Sequence, residues 1–413
     1  MNILATASMP DELGLSSERL ARIPKHFSRY VQSGRLKGYS TFVSRFGEPV
    51  LFHCEGLADA ENERPVAPDT IFRIYSMTKP ICSLALMLLY EEARFELNHA
   101  VSRYLPAFKD LRVWDGGSAE DFRTVPCERE MTILDLLTHT SGLTYGFMQS
   151  HPVDALYRRA GINGGFTDKV SLAETCERLA EIPLLFSPGK YWSYSIATDV
   201  VGRLVEVMSG QSLDAFLQER IFMPLGMIDT GFDVPADKLS RFAANYERNP
   251  TSKELRLIDR PDTTSIYANP RSYLSGGGGL VSTVADYFRF CQMCLNGGEL
   301  DGVRIASRKT LELMTLNHLP GGKTMKEMDN SAFSETGMDG MGFGLGFSVL
   351  VDQALAMSTT SVGSFSWGGA ASTYFWIDPE EEIVGIFMTQ LMPSRAYPLR
   401  PQFQQLVYGA LDD

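Results

Sequence analysis

The sequence predicts an α+β fold: one antiparallel sheet built from strands at both ends of the chain, flanked by helices, with a helical subdomain inserted between them. Three observations carry this reading. Two β-rich runs, GYSTFVSRFG (38–47) and VLFHCEG (50–56), precede a long apolar helical stretch; helical signals then predominate from about 96 to 260; and further β-rich runs with a closing helix fill the C-terminal part. The chain has 413 residues, 44% of them hydrophobic, enough for a large core. One domain over 1–413 is expected, with its α/β part formed by 1–95 and 261–413 and its helical part by 96–260.

The elements follow in order. Ser17 to Val31 carries Leu20, Ile23, Phe27, Tyr30 and Val31 at helical spacing, with Pro24 placed to disturb the first turns. The two early β runs read as a hairpin turning around Gly47-Glu48-Pro49. TIFRIYS (70–76) leads into Ser76, and Met77 to Arg94 is apolar all round before its charged end, the mark of a helix inside a core. Thr132-x-x-Asp135 is a capping box, with Gly142 as the matching C-cap; Asp199–Ser209 and Leu213–Ile221 read as further helices. Thr283-x-x-Asp286 caps another helix after the Gly276–Gly279 run, which fits either a close backbone approach or a flexible link. The polar, Gly- and Met-rich stretch 319–341 reads as a lid or as disorder. Three β-rich runs follow, GFGLGFSVLV (342–351), STYFWID (372–378) and EIVGIFMTQ (382–390), then a helix over 401–411.

The net charge of −12 and a pI near 5.1 argue against a nucleic-acid partner. The N-terminus lacks a basic region and an export-length apolar core, and the longest apolar run, Ile81 to Tyr90, is too short to span a bilayer; a soluble, cytoplasmic protein is expected. The six cysteines do not form a disulfide framework, and Cys291-x-x-Cys294 sits in a helical stretch without a second ligand pair, so buried thiols are expected there. No histidine has metal-ligand spacing, and neither a metal nor another cofactor is expected.

Two S-x-x-K matches are present. Ser187-Pro-Gly-Lys190 contains Pro188 and Gly189, which make a turn and leave the two side chains no common face. Ser76-Met-Thr-Lys79 opens a long helix, where residues three apart share a face. A serine hydroxyl needs a base to become nucleophilic, and a lysine amine serves when burial depresses its pKa. Free backbone N–H groups at a helix start favour a developing oxyanion.

Further motifs agree with that pair. Tyr194-Ser-Ile and Trp367-Gly-Gly follow Ser76–Lys79 in the order of the three elements of serine β-lactamases and penicillin-binding proteins. Together with LLTHTSGLTYGF (136–147), YSIATDVVGRLVE (194–206) and PLGMIDTGF (224–232), they resemble the class C β-lactamase-like esterases, the family VIII carboxylesterases; the chain is also similar to the fungal acyltransferase that loads the statin side chain. The resemblance runs from DELGLSSERLARI to WIDP and implies a β-lactamase/penicillin-binding-protein-like fold. It also implies Ser76 as nucleophile, Lys79 and Tyr194 as partners in general-base work, and backbone N–H groups of Ser76 and Ala370 as the oxyanion hole. Trp367, Gly368, Gly369 and Tyr145 are the expected substrate-binding residues. Phe147 and Trp192 stand near the motifs and fit either the acyl pocket or the core.

The chain departs from the β-lactamase pattern at two points. Ile196 stands where Y-x-N has its amide, and Trp367 stands where K-T-G has its cation. Both changes make the cleft less polar and less positive, favouring neutral esters over penicillins or peptidoglycan stems. The expected activity is hydrolysis of short-chain esters, a small-molecule substrate class. Alternatives are acyl transfer to a specific acceptor, weak β-lactamase or D-amino-acid peptidase activity, and a non-catalytic ligand-binding sensor.

Other signals read as structural. His139 ends a short helix without a G-x-S-x-G elbow, Gly322-Lys323-Thr324 lacks the rest of a phosphate loop, and Gly342-x-Gly344-x-Gly346 suits close strand packing.

Overall fold

The computed structural model describes residues 9–164, 170–330 and 337–413. Its centre is an eight-stranded, wholly antiparallel sheet. The strands are β1 (Gly38–Arg45), β2 (Glu48–Asp59), β3 (Arg64–Pro65), β4 (Met341–Phe343), β5 (Ser348–Leu350), β6 (Phe365–Gly368), β7 (Tyr374–Asp378) and β8 (Ile383–Thr389). Their order is β4-β5-β6-β7-β8-β1-β2-β3, so the first strand of the chain pairs with the last strand of the sheet, Phe42 opposite Ile386.

Alternation along the strands separates two apolar layers. Tyr39, Val43, Trp376 and Phe387 face helices α1 (Arg22–Gln32) and, at the C-terminus, the helix Leu399–Tyr408. Phe42, Trp367, Phe375 and Ile386 face a larger core containing α2 (Thr78–Glu91), α3 (Ala197–Ser209) and α4 (Val284–Leu295). We call the C-terminal helix α5. Every residue of α2 from Thr78 to Leu89 is buried, as a helix apolar all round requires.

Both caps expected from the sequence initiate helices, Thr132–Asp135 as a full capping box and Thr283 as an N-cap alone. Thr132 accepts from Asp135 N at the start of Ile133–Leu137, and Thr283 accepts from Asp286 N at the start of α4. The other details differ in physically intelligible ways. The first helix breaks at Ala21 into Ser17–Leu20 and α1, with Pro24 in the first turn of the second piece. The hairpin turns at Phe46-Gly47, not at Gly47–Pro49, because both residues take positive φ (54° and 79°), the geometry matching the twist of a two-residue hairpin. Pro49 lies in β2 opposite Ser44, at a bulge. Gly142 is not a C-cap, since the helix it was assigned to ends at Leu137. The expected helix 213–221 is α-helical only to Leu217 and continues as a π turn, Gln218–Phe222.

Among the described residues the main sheet takes five late strands, not three. The run 342–351 is split into β4 and β5, and β6 was missed because its four residues, Phe-Ser-Trp-Gly, are too few to show a period. The glycines of the run serve the expected close packing: a Cβ on Gly344 would strike the Met314 carbonyl. Residues 96–260 give no strand to the main sheet among the described residues, yet this stretch is not purely helical. It contains the ribbon Arg112–Gly117/Phe122–Pro126, and Asn245–Arg248 pairs with Leu255–Asp259 and, in parallel, with Leu391–Met392. Within 319–341 the described residues include a capped turn of helix, Met325–Met328, and the start of β4; 331–336 fall outside the described residues. No described helix is long and apolar enough to cross a membrane.

Candidate active site

Ser76 does not open α2 itself. It lies in a single 3-10 turn, Tyr75–Met77, immediately before the helix, and the tighter winding of such a turn brings positions three apart into line. Lys79 Nζ accordingly reaches Ser76 Oγ at 3.2 Å, with Lys79 buried and Ser76 8% exposed. The turn is entered through Tyr75 at φ 45°, a left-handed conformation that is costly for a side chain of this size. Surrounding contacts hold it there: Asn245 Nδ2 donates to the Tyr75 hydroxyl (2.7 Å), Ile74 N donates to Leu280 O (3.1 Å), and Leu280 N donates to Thr78 Oγ1 (3.1 Å). Arg73 anchors the approach. Its guanidinium has no solvent exposure, pairs with Asp259 at 2.5 Å and lies 3.9 Å from the centre of the Phe242 ring.

Tyr194 enters from the segment before α3. Its hydroxyl donates to Ser76 Oγ at 2.6 Å. The segment is fixed by backbone bonds on both sides, Ser193 N to His139 O (2.9 Å) and Ile196 N to Thr144 O (3.2 Å). Aromatic rings enclose the phenol: Tyr145 at 5.4 Å, Trp367 at 5.5 Å and His139 at 5.1 Å between centroids. Lys79 Nζ lies 4.5 Å from the centre of the Tyr194 ring and 5.5 Å from that of Tyr145, and donates to the carbonyl of Gly277 at 2.6 Å. Two side chains, one from the next turn of the chain and one 118 residues further on, thus share the Ser76 hydroxyl. A phenol and an amine within hydrogen-bond reach of one hydroxyl are groups that can serve the proton transfers of acyl transfer.

The end of β6 closes another side. Gly369 packs so closely that a Cβ there would strike the carbonyl of Ile74, in the chain entering the Ser76 turn, and Gly369 N donates to Thr373 O (2.9 Å). Ala370 follows, half-buried.

The expected pocket residues divide. Tyr145 is buried and stacks on Phe147 at 4.6 Å, and Phe147 is 41% exposed, so this pair runs from Lys79 to solvent. Trp367 differs from expectation: its indole is fully buried between Tyr194 and Phe343, a wall behind the phenol with no free surface for substrate. Gly368 likewise faces α5, where a Cβ would strike the Arg400 guanidinium. Trp192 is also fully buried. Among the described residues, a cavity of about 820 Å³ lies on the other face of β6 and β7, lined by Ser364, Ser366, Tyr374, Trp376, Tyr397 and Arg400 among others; none of Ser76, Lys79 and Tyr194 lines it.

The second S-x-x-K is a turn, as its Pro-Gly requires: Lys190 N donates to Ser187 O (3.2 Å), and the lysine side chain reaches Glu128. His139 is not exposed to substrate. Its Nδ1 pairs with Ser195 Oγ at 3.2 Å, and burial, reinforced by the Lys79 charge, holds the imidazole pKa well below its ordinary value. Cys291 and Cys294 are buried on α4.

The sequence assigns no lysine-binding role to two groups around Lys79, although it offers the Gly276–Gly279 run for a close backbone approach. Gly277 supplies the carbonyl, and the Gly276–Gly279 run is a close approach: a Cβ on Gly276 would lie 2.6 Å from both Cys82 Sγ and Thr198 O. Asp199 is the second. It stands in the first turn of α3, where an acid reads as a helix-dipole partner, and no spacing rule separates that role from a buried one.

Residues 23–408 match the beta-lactamase family, and the chain belongs to that family. It is 33% identical to Esterase EstB of Burkholderia gladioli over 383 residues, 89% of this chain and 90% of that one. Among solved structures it is similar to EstCE1, a hydrolase with promiscuous acyltransferase activity, with a TM-score of 0.79 and 27% identity over 95% of this chain and 99% of the other. Unliganded simvastatin synthase from Aspergillus terreus matches with a TM-score of 0.80 at 25% identity, again over 95% and 99%. The chain is therefore an enzyme of the serine hydrolase and acyltransferase type, with a β-lactamase and penicillin-binding-protein-like fold.

Proposed function

We propose that the protein is a carboxylesterase that hydrolyses small, uncharged, short-chain esters through an acyl-enzyme on Ser76. The observation behind this is the shared Ser76 Oγ, with the Tyr194 hydroxyl at 2.6 Å and Lys79 Nζ at 3.2 Å. Tyr194 as phenolate, stabilised by the neighbouring lysine cation, takes the Ser76 proton while Oγ attacks the ester carbonyl carbon. The tetrahedral oxyanion is held by the N–H of Ser76, which as an early residue of its turn has no acceptor within it, and by the N–H of Ala370. The intermediate collapses, Tyr194 returns its proton to the departing alkoxide, and water repeats the sequence in reverse to free the acid.

The ester preference rests on what surrounds the oxygen. Ile196 and Trp367 are fully buried and bring neither an amide nor a cation to the cleft. Tyr145 and Phe147 offer an aromatic wall for a short acyl chain, and Gly369 shapes the floor beside Ala370. The sheet-bearing parts, 1–95 and 261–413, carry the serine, lysine and oxyanion donors, and the part spanning 96–260 carries Tyr194 and that wall, so substrate enters between them.

The test is steady-state hydrolysis of p-nitrophenyl acetate and butyrate by the wild type and Ser76→Ala. Loss of turnover in the variant is expected, and equal rates would rule out Ser76 as nucleophile. A second reading, acyl transfer to an alcohol or amine acceptor, is favoured by the likeness to simvastatin synthase and to EstCE1. Partitioning of the acyl-enzyme between water and added alcohols decides it: no transfer product with any acceptor removes it.

A further inference from the structure

Lys79 and Asp199 meet at a single glycine. The Gly277 carbonyl accepts from Lys79 Nζ at 2.6 Å, and the Gly277 N–H points to Asp199 Oδ1 at 3.4 Å. A Cβ on Gly277 would lie 2.7 Å from Asp199 Oδ2 and 3.1 Å from the Tyr145 hydroxyl, so only glycine lets the backbone pass between the carboxylate and the lysine at this distance. Asp199 is 1% exposed and does not touch Ser76. Burial pushes its carboxyl up from the ordinary range, and Ser275, the Lys79 charge, the Gly277 N–H and Tyr273 pull it back down. The titratable groups facing it are Lys79 and Cys82 from α2, Cys176 from the helix Leu172–Ala180, and Tyr273 before the glycine run, with Tyr145 across Gly277. Lysine is the cation among them. A charged Lys79 therefore meets a carbonyl and two aromatic faces, with the Asp199 carboxyl beyond Gly277 adding attraction at longer range, whereas a neutral amine forfeits most of it.

We propose that Asp199, acting through Gly277, is a positioning residue that keeps Lys79 protonated and aimed at Ser76, so that Tyr194 receives the serine proton. This rests on the reading of Ser76, Lys79 and Tyr194 given above. It assigns the two partners different work: Lys79 holds a fixed charge, and Tyr194 moves the proton.

Labelling with diethyl p-nitrophenyl phosphate tests it. Ser76 Oγ attacks phosphorus, its proton passes to Tyr194, and p-nitrophenolate leaves; absorbance gives the rate and intact mass with peptide mapping gives the site. Rates are measured from about pH 6 to about pH 10 for the wild type, Asp199→Asn and Asp199→Glu. Removing the carboxylate lowers the lysine pKa, so the alkaline limb of Asp199→Asn moves down by about one pH unit, about a tenfold loss on that limb. Asp199→Glu, which keeps the charge, restores part of the shift. A folded Asp199→Asn whose profile superimposes on the wild type, or falls by one factor at every pH, overturns the proposal. A wild type that does not label at Ser76 instead overturns the reading beneath it. Should Asp199→Asn not fold, ¹⁵N NMR of wild-type lysine amines, with Lys79 assigned through Lys79→Arg, still decides: a charged amine at about pH 7 supports the proposal and a neutral one overturns it.

Discussion

The Tyr194 hydroxyl stands 2.6 Å from Ser76 Oγ, closer than the Lys79 amine at 3.2 Å, and its ring lies beneath that amine. Tyrosine and lysine thus meet twice, at the serine oxygen and across the ring face, so a substitution at either disturbs the contacts of the other.

Tyr194→Phe keeps the ring between Trp367, His139 and Tyr145 and removes only the oxygen. The expected kcat for p-nitrophenyl butyrate falls by about 10²- to 10⁴-fold, the range of positioned acid–base catalysis, while the melting temperature stays within a few degrees of wild type. A kcat within about threefold of wild type removes Tyr194 from the chemistry.

The glycine run separates into a position that bears no side chain and one that does. A Cβ on Gly277 would come within 2.7 Å of Asp199 Oδ2, whereas on Gly278 its nearest neighbour would be at 3.8 Å, ordinary contact. Gly277→Ala is expected to cost about 1–3 kcal/mol by overpacking and to lower turnover, and Gly278→Ala to change stability by less than about 0.5 kcal/mol. Urea unfolding of the pair checks this; equal costs contradict it.

Trp367→Lys restores the cation of the β-lactamase pattern without restoring its activity. The indole is fully buried, so the substitution leaves a cavity and drives an ammonium into an aromatic cluster that already holds Lys79. A loss of about 3–5 kcal/mol is expected, with no gain in penicillin hydrolysis. A stable variant with raised nitrocefin turnover would show that the residue reaches the cleft.

Asp286 carries a pH signature away from the site. Burial chiefly raises its carboxyl to about 6 from 3.8, with the Asp229 charge adding, although Asp229 N and the Thr230 hydroxyl donate to it. Because the folded pKa exceeds the unfolded one, the group stabilises the fold relatively below pH 3.8, and this contribution is lost as pH rises through about 6. Asp286→Asn abolishes that titration. Its stability relative to wild type should improve by about 2–3 kcal/mol between about pH 4 and about pH 7.5, read from urea midpoints. A difference that does not change with pH refutes the assignment.

What the sequence disclosed about the fold followed from periodicity and capping. The unbroken apolar face of α2, Thr132-x-x-Asp135 and Thr283-x-x-Asp286 are local signals, and each produced its element. The family resemblance supplied the order of Ser76, Tyr194 and Trp367. Four-residue β6 and the ribbon Arg112–Gly117/Phe122–Pro126 were illegible because their stability comes from partners distant in sequence or from a few cross-strand contacts. Trp367 was misplaced for a related reason: its position in a motif says which strand it occupies, but the depth of burial depends on Tyr194 and Phe343. Asp199 was hidden by its setting, since its partner across Gly277 is 120 residues back along the chain, as counted from Lys79 to Asp199.

Pairing of β1 with β8 has a consequence for how the molecule comes into being. Ser76 and Lys79 leave the ribosome early, but the sheet that supports their turn stays open until Ile383–Thr389 has been synthesised and docked against Gly38–Arg45. A chain shortened before β8 is therefore expected to leave the Ser76 turn without the joined sheet. Under the proposed role of Ser76, acylation is expected only after the last large strand joins the two halves of the sheet, with α5 still to pack against it.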